Sequence, residues 1–220
     1  MTPYPDTIID FHTHRLAARH AVVSLSPAMA CRLLADTPTG ITISVGVHPW
    51  DSREGIDPSQ LEHIIAREQV VAVGESGLDT LRGADIETQE RLFELHIELS
   101  EKYHKPLIIH CVKAWDRLIA IKRRLRPMQP WGVHGFRGSP ELARQLLSHG
   151  MYISLGEHFN PATAAIVPSA RLLVETDDSH LPLDEIIARV AACRNDSQPI
   201  TPAATLREFL SPSTTHTASP

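Results

Sequence analysis

Four imidazoles and two carboxylates, His12, His14, Glu75, His110, His134 and Asp177, recur at the ends of short apolar runs in this 220-residue chain. The first run, Thr7-Ile8-Ile9-Asp10-Phe11-His12-Thr13-His14, reads as a β-branched strand that ends in His-x-His. Side chains alternate along a strand, so His12 and His14 point to one side. Neutral imidazole is the commonest metal ligand, with Zn–N bonds of about 2.0–2.1 Å. Asp10 shares their parity and is placed to hold a ligand ring from behind. A lone His-x-His is equally a pair of half-exposed histidines, so its meaning depends on the rest of the chain.

The elements that must position these residues follow from hydrophobic patterning. Strands are expected at 7–14, 21–25, 41–47, 70–73, 106–110, 131–134, 151–155 and 172–175, with a closing loop at 74–79 after the fourth. Helices are expected at 27–35, 58–67, 85–103, 114–125, 140–149 and 182–193, with a weaker one at 203–210. Ser26-Pro27 and Ser139-Pro140 give the cap-then-proline start of a helix. Residues 1–210 read as one domain, and the Ser/Thr/Pro-rich segment 211–220 as a disordered tail.

Eight apolar strands interleaved with helices point to a parallel α/β fold, either a (β/α)8 TIM-type barrel or an open doubly wound sheet. Placement of the polar residues favours the barrel, in which chemistry sits at the carboxyl ends of several strands at once. Here those ends carry His12 and His14, His48, Glu75, His110, His134 and Asp177. Hydrophobic content of 42% and charged content of 21% are ordinary for a soluble domain. A net charge of −5 excludes general affinity for polyanions, so nucleic-acid contact must rest on a local patch or on metal. Cys31, Cys111 and Cys193 are far apart, which fits a reducing cytoplasm. No run approaches the ~18 apolar residues of a membrane span, and no protein partner is indicated.

One zinc ion takes about four ligands, so six protein ligands and water suffice for two ions if one carboxylate bridges. Glu75, mid-set on the fourth strand, is the geometric candidate for the bridge. Asp177, on the eighth strand beside the first, belongs with His12 and His14; His110 and His134 belong together on neighbouring strands. Two ions roughly 3.5–4 Å apart activate a shared water and clamp phosphate oxygens, which is hydrolytic chemistry. Asp177 is also placed to take the proton of that water.

Six ordered segments carry a family resemblance: Ile9-Asp10-Phe11-His12-Thr13-His14, Gly46-Val47-His48-Pro49, Val73-Gly74-Glu75-Ser76-Gly77-Leu78-Asp79, Ile109-His110, His134-Gly135-Phe136 and Leu173-Val174-Glu175-Thr176-Asp177. With Gln89 and Phe93, they resemble the TatD family of metal-dependent hydrolases over roughly residues 8 to 178. The resemblance implies an amidohydrolase-type barrel, two divalent ions (Zn, Mg or Mn) and phosphodiester hydrolysis as a deoxyribonuclease. It implies the same six ligands, with Glu75 bridging and catalytic, and Asp177 as ligand and base. The chain departs from the family in a short segment after His14 that has no room for a helix, in Asp178-Ser179-His180 after Asp177, and in Lys113 where the family has Arg.

His48, Lys113, Arg15 and His180 are candidate substrate-binding residues, each with an ordinary turn or surface role as its alternative. Glu157 and His158 flank the expected mouth with His180. Lys122, Arg123, Arg124 and Arg126 end a helix, where cations favour the dipole and point away from the mouth. His20, His63, His96, His104, His149 and His216 read as structural or exposed. Three functions are compatible with this set: removal of nucleotides from the ends of single-stranded DNA, the same metal chemistry on an ester, amide or lactone (an aminoacyl ester, for example), or metal binding without catalysis. In the first, the substrate is DNA or a small phosphodiester.

Overall fold

Short apolar runs punctuated by glycine and proline build eight parallel strands in the computed structural model, which describes residues 8–36, 41–194 and 200–211. They are β1 (Asp10–Thr13), β2 (Ala21–Leu25), β3 (Thr42–Val45), β4 (Val70–Asp79), β5 (Leu107–Val112), β6 (Trp131–Val133), β7 (Tyr152–Leu155) and β8 (Leu172–Val174). Each pairs in parallel with the next, giving one sheet in sequence order. Helices α1 (Pro27–Asp36), α2 (Pro58–Ile65), α3 (Ile86–Tyr103), α4 (Trp115–Leu125), α5 (Pro140–Ser148), α6 (Pro161–Ala164) and α7 (Leu183–Ala192) lie between strands or after β8. The fold is a nearly closed (β/α)8 barrel.

β8 returns to β1 through a narrow seam. Its contacts are the Thr13–Asp177 bridge and the Asp177 N–H donating to the His12 carbonyl at 2.9 Å. The buried Asp10 carboxylate adds bonds from the Thr176 N–H at 3.0 Å and its hydroxyl at 2.7 Å. Asp10 therefore holds the adjacent strand end and the His12 N–H (3.4 Å), not a ligand ring as its parity predicts. The cause is a slipped ladder: three steps from Asp10 to Thr13 face two from Ala21 to Val23, so alternation fails across β1.

The carboxyl-terminal helix α8 (Pro202–Leu210) covers the opposite end of the barrel. Its Phe209 packs edge-on against Phe11 of β1 and Tyr152 of β7, both at 5.2 Å. Thr205 Oγ1 donates to the Ser169 carbonyl, in the 3₁₀ turn that precedes β8, at 3.1 Å. Burying a side chain of this size contributes about 1.5–3 kcal/mol.

The largest boundary difference from expectation lies in β4. β4 continues through 74–79, where glycines suggest a loop, because Gly74 and Gly77 allow close approach to β5. A Cβ at Gly77, which has φ +144°, would stand 2.0 Å from the His110 carbonyl oxygen. The turns Pro49–Asp51 and Ser169–Arg171 and the four-residue α6 are too short for a periodic signal. No helix separates β1 from β2, as the short segment after His14 requires. The expected tail lies outside the described residues apart from Ser211, as does Thr7 of the first expected strand. Among the described residues, no helix is long and apolar enough to cross a membrane.

Candidate metal centre

β4 delivers the central residue. Val73 to Ser76 spans three steps where β5 spans two, and this bulge carries Glu75, which is 5% exposed. Glu75 Oε2 lies 3.3 Å from His12 Nε2 and 3.5 Å from His14 Nε2. Asp177 Oδ1, from the segment after β8, lies 3.7 and 3.6 Å from the same two nitrogens. Glu75 Oε1 faces the other way, 3.0 Å from His110 Nδ1 and 2.6 Å from His134 Nε2, which are themselves 3.3 Å apart. The six residues thus converge at one mouth, with one Glu75 oxygen turned to each side. His134 also groups with His12 and Asp177, ligand atoms within 4.8 Å of one another, and so stands between the sides.

These spacings fit metal. Ligand atoms about 2.1 Å from a shared tetrahedral ion lie about 3.4 Å apart, close to the 3.3–3.7 Å separations around Glu75 Oε2. The second set is tighter at its Glu75 contacts. Neither ring nitrogen of the fully buried His12 has a hydrogen-bond partner. An orphaned buried imidazole is costly, and a cation at Nε2 satisfies it.

Hydrogen-bond partners set the tautomers in the same sense. His110 Nε2 lies 3.2 Å from Asp79 Oδ2 and carries its proton there, so a neutral ring turns a bare Nδ1 lone pair toward Glu75 Oε1. These two acceptors face each other at 3.0 Å, and a cation would satisfy both. His134 Nδ1 lies at ion-pair distance, 3.5 Å, from Glu175 Oε1 without a hydrogen bond. Electrostatics match: burial pushes the Glu75 carboxyl up, but the charges of His134 and His12 hold it well below the usual range. Burial lowers His134, yet Glu75 and Glu175 raise it well above an ordinary imidazole. Burial raises the Asp177 carboxyl, opposed by His134 and His12.

Asp79 and Glu175 are functional supports that sequence reasoning missed, although both stand in the motifs quoted above. Their signal is parity: Asp79 repeats the alternation of Glu75 at the strand end, and Glu175 that of Asp177. Asp79 Oδ2 also accepts from Trp50 Nε1 at 2.7 Å. His96, expected to be structural, shapes the site at a distance. Its Nδ1 bonds the Leu92 carbonyl at 2.7 Å and its Nε2 accepts from the Val47 N–H at 2.9 Å, fixing the turn that presents His48. Burial pushes the His96 imidazole down to about 4.

His48 reaches the centre but as a donor. Its Nδ1 accepts from the Trp50 N–H at 3.1 Å, leaving the proton of a neutral ring on Nε2, 3.1 Å from Glu75 Oε1. It lines a cleft of about 410 Å³ with His14, Glu75, His110, His134 and Asp177. His180, Glu157 and His158 line a separate pocket of about 280 Å³, which shares Asp177 and Asp178 with that cleft. Arg15 and Lys113 are exposed in the turns leaving β1 and β5 and line neither cavity. The basic residues at the end of α4 sit at the far end of the barrel. Arg124 there pairs with Glu94, and Lys122 lies 4.5 Å over the Trp131 ring.

Known proteins resemble this chain in sequence and fold. The profile of TatD related DNases matches residues 11–194. The Escherichia coli K12 protein named as the uncharacterized metal-dependent hydrolase YcfH is 36% identical over 151 residues, 64% of this chain and 57% of its own. The match therefore spans little more than half of that relative. A protein of Edwardsiella piscicida named 3'-5' ssDNA/RNA exonuclease TatD is 33% identical over 77% of this chain and 70% of its own. Among solved structures, the TatD homolog YJJV of Escherichia coli K12 superposes with a TM-score of 0.72 at 25% identity, over 86% of this chain and 83% of its own. A TatD family hydrolase of Entamoeba histolytica shares the fold with a TM-score of 0.71 at 17% identity, over 93% and 95% of the two chains.

Proposed function

The chain belongs to the TatD related DNase family, and from that premise we propose that it is a two-metal phosphodiesterase removing nucleotides from the ends of single-stranded DNA. The observation that carries this reading is the split of Glu75, one oxygen toward His12 and His14 and the other toward His110 and His134. In it, His12, His14, Asp177 and Glu75 would hold one divalent ion, Zn, Mg or Mn, and His110 and His134, with Glu75 shared, would hold the other. Bound there, the ions supply Lewis acidity and an activated water.

The chain's own groups supply the remaining steps. Asp177, with the carboxylate oxygen that does not face His12 and His14, would accept the proton of the attacking water. His48 donates from Nε2 to a phosphate oxygen, with Trp50 fixing its tautomer. Asp79 holds the ring of His110, and the Glu175 carboxylate stands beside that of His134. Arg15 and Lys113, proposed from sequence as phosphate contacts, do not line the cleft. A net charge of −5 leaves weak binding with little sequence preference. Cys31, Cys111 and Cys193 are free thiols, as a reducing cytoplasm keeps them.

The test uses metal-loaded protein with end-labelled single strands, duplexes and closed circular DNA. A mononucleotide ladder from single strands, abolished by chelator, is expected. Cutting of the circle would mean an endonuclease. Silence on all three, with turnover of an ester or lactone panel, would move the same centre to another bond.

A further inference from the structure

The barrel mouth is divided by chemistry. Among the described residues six large apolar side chains are exposed, and four of them, Leu16, Met29, Trp50 and Leu81, follow β1, β2, β3 and β4 at the mouth. The other two, Leu125 and Met128, lie at the far end of the barrel. Beyond β6, β7 and β8 the lining is mainly charged and polar, with Phe136 and Phe159 as its aromatic members and no large apolar side chain exposed among the described residues. The metal centre lies between the halves, and Trp50 and Met29 line its cleft.

Trp50 is 47% exposed, an unusual state for a residue worth burying. It is not loose. Asp79 Oδ2 accepts from its indole nitrogen at 2.7 Å, and the Arg82 guanidinium stacks 4.2 Å from its ring centroid. The loop carrying Arg82 is pinned by buried Gln89, whose amide donates to the carbonyls of Asp79, Arg82 and Ala84, each at 2.9 Å. The Pro49–Asp51 turn is tied to the same loop through Ser52 Oγ, which accepts from the Ala84 N–H at 2.9 Å. The ring of Trp50 stands edge-to-face with His48, at 4.8 Å and 80°. A rigid, solvent-facing indole beside a hydrolytic centre is a preformed stacking surface, and ordering it costs the bound state little.

We propose that Trp50, backed by Arg82, is the nucleobase-stacking subsite of this enzyme, gripping the base attached to the scissile phosphate while the ions and His48 grip the phosphate. The assignment rests on the phosphodiesterase reading above and adds what that reading lacks, a contact to the base. Stacking tolerates every base because each has a π face, which agrees with little sequence preference. A polar or abasic end finds no such surface on that half of the mouth.

The experiment compares Trp50→Ala and Trp50→Phe with wild type on metal-loaded, full-length protein. The substrates are two single-stranded oligonucleotides that differ only in whether the terminal nucleotide carries a base or is abasic. Wild type is expected to favour the base-bearing end in kcat/KM by about tenfold, on the scale of one stacked base. The preference should fall to near unity in Trp50→Ala and survive largely in Trp50→Phe. If Trp50→Ala keeps the preference while losing turnover on both ends, the indole acts only through Asp79 and the proposal is wrong. An independent readout is quenching of tryptophan fluorescence by deoxyadenosine 5′-monophosphate, expected in wild type, absent with 2-deoxyribose 5-phosphate and lost in Trp50→Phe. Quenching retained in Trp50→Phe overturns the subsite. Wild type that binds the nucleotide through Trp50 but cleaves no oligonucleotide keeps the subsite and refutes the phosphodiesterase.

Discussion

Replacing Asp79 by asparagine isolates the support behind one side of the metal centre. Asp79 accepts three hydrogen bonds: Leu81 N–H to Oδ1 at 2.7 Å, Trp50 Nε1 to Oδ2 at 2.7 Å, and His110 Nε2 to Oδ2 at 3.2 Å. In Asp79→Asn, Oδ1 can keep the Leu81 bond, but an NH2 group replaces Oδ2 and faces two donors. His110 then loses the partner that fixes its proton on Nε2, and its Nδ1 no longer presents a reliable lone pair toward Glu75. Outer-shell changes of this kind cost about 10–100-fold in metal affinity, or about 1.4–2.7 kcal/mol. Calorimetric titration of metal-free protein with Mn²⁺ or Zn²⁺ should show the loss in one of two binding steps. In a His110→Ala background, Asp79→Asn should add little, because the two residues act as one unit. Unchanged binding in both steps, or full additivity with His110→Ala, would refute the support argument.

Glu75→Ala should weaken both ions and His134→Ala mainly one, as read by elemental analysis of dialysed protein; full occupancy in Glu75→Ala rules out the bridge. Asp177→Asn keeps an oxygen ligand but cannot take a proton at neutral pH, so turnover should fall by about 10²-fold or more, with metal content largely kept; near-normal turnover would leave Asp177 a ligand only. His96 sets an acid limit, since its folded pKa of about 4 lies below the ordinary 6.5. The unfolded chain binds the extra proton, so this stability is full above pH 6.5 and is lost as pH falls from 6.5 toward 4, about 3 kcal/mol in all. Chemical denaturation at several pH values should show that slope, and His96→Gln should flatten it.

The site is legible in sequence because a parallel barrel gathers the carboxyl ends of all its strands. A residue such as His110 or His134, standing where an apolar run stops, is thereby assigned to the mouth without knowledge of any contact. What sequence hides is anything that breaks alternation. The bulges beneath His12 and Glu75 are one-residue slips, and the first sends Asp10 to Thr176 rather than to an imidazole. Tautomers are hidden too: only the Trp50 amide on Nδ1 shows that His48 is a donor rather than a further ligand. Arg15 and Lys113 stand one and three positions past strand-end histidines, yet turn geometry keeps both from the cleft. Spacing along the chain carries no information about that.

The narrow seam between β8 and β1 bears on the order in which this chain is made. Asp10, His12 and Thr13 belong to its first strand, whereas Thr176 and Asp177 follow its last, a separation of 163 to 166 residues in the bonds that close the seam. Contacts that distant carry the largest loop-closure cost and form late. During synthesis, His12, His14 and Glu75 emerge long before Asp177, so the first ion's site is incomplete until the barrel shuts. A chain stopped short of β8 lacks a ligand of the proposed centre and the strand that shields His12. Metal retention then reports on whether the two ends of the sheet have met, and an ion joining His12 to Asp177 fastens the weakest joint of the barrel at the moment folding ends.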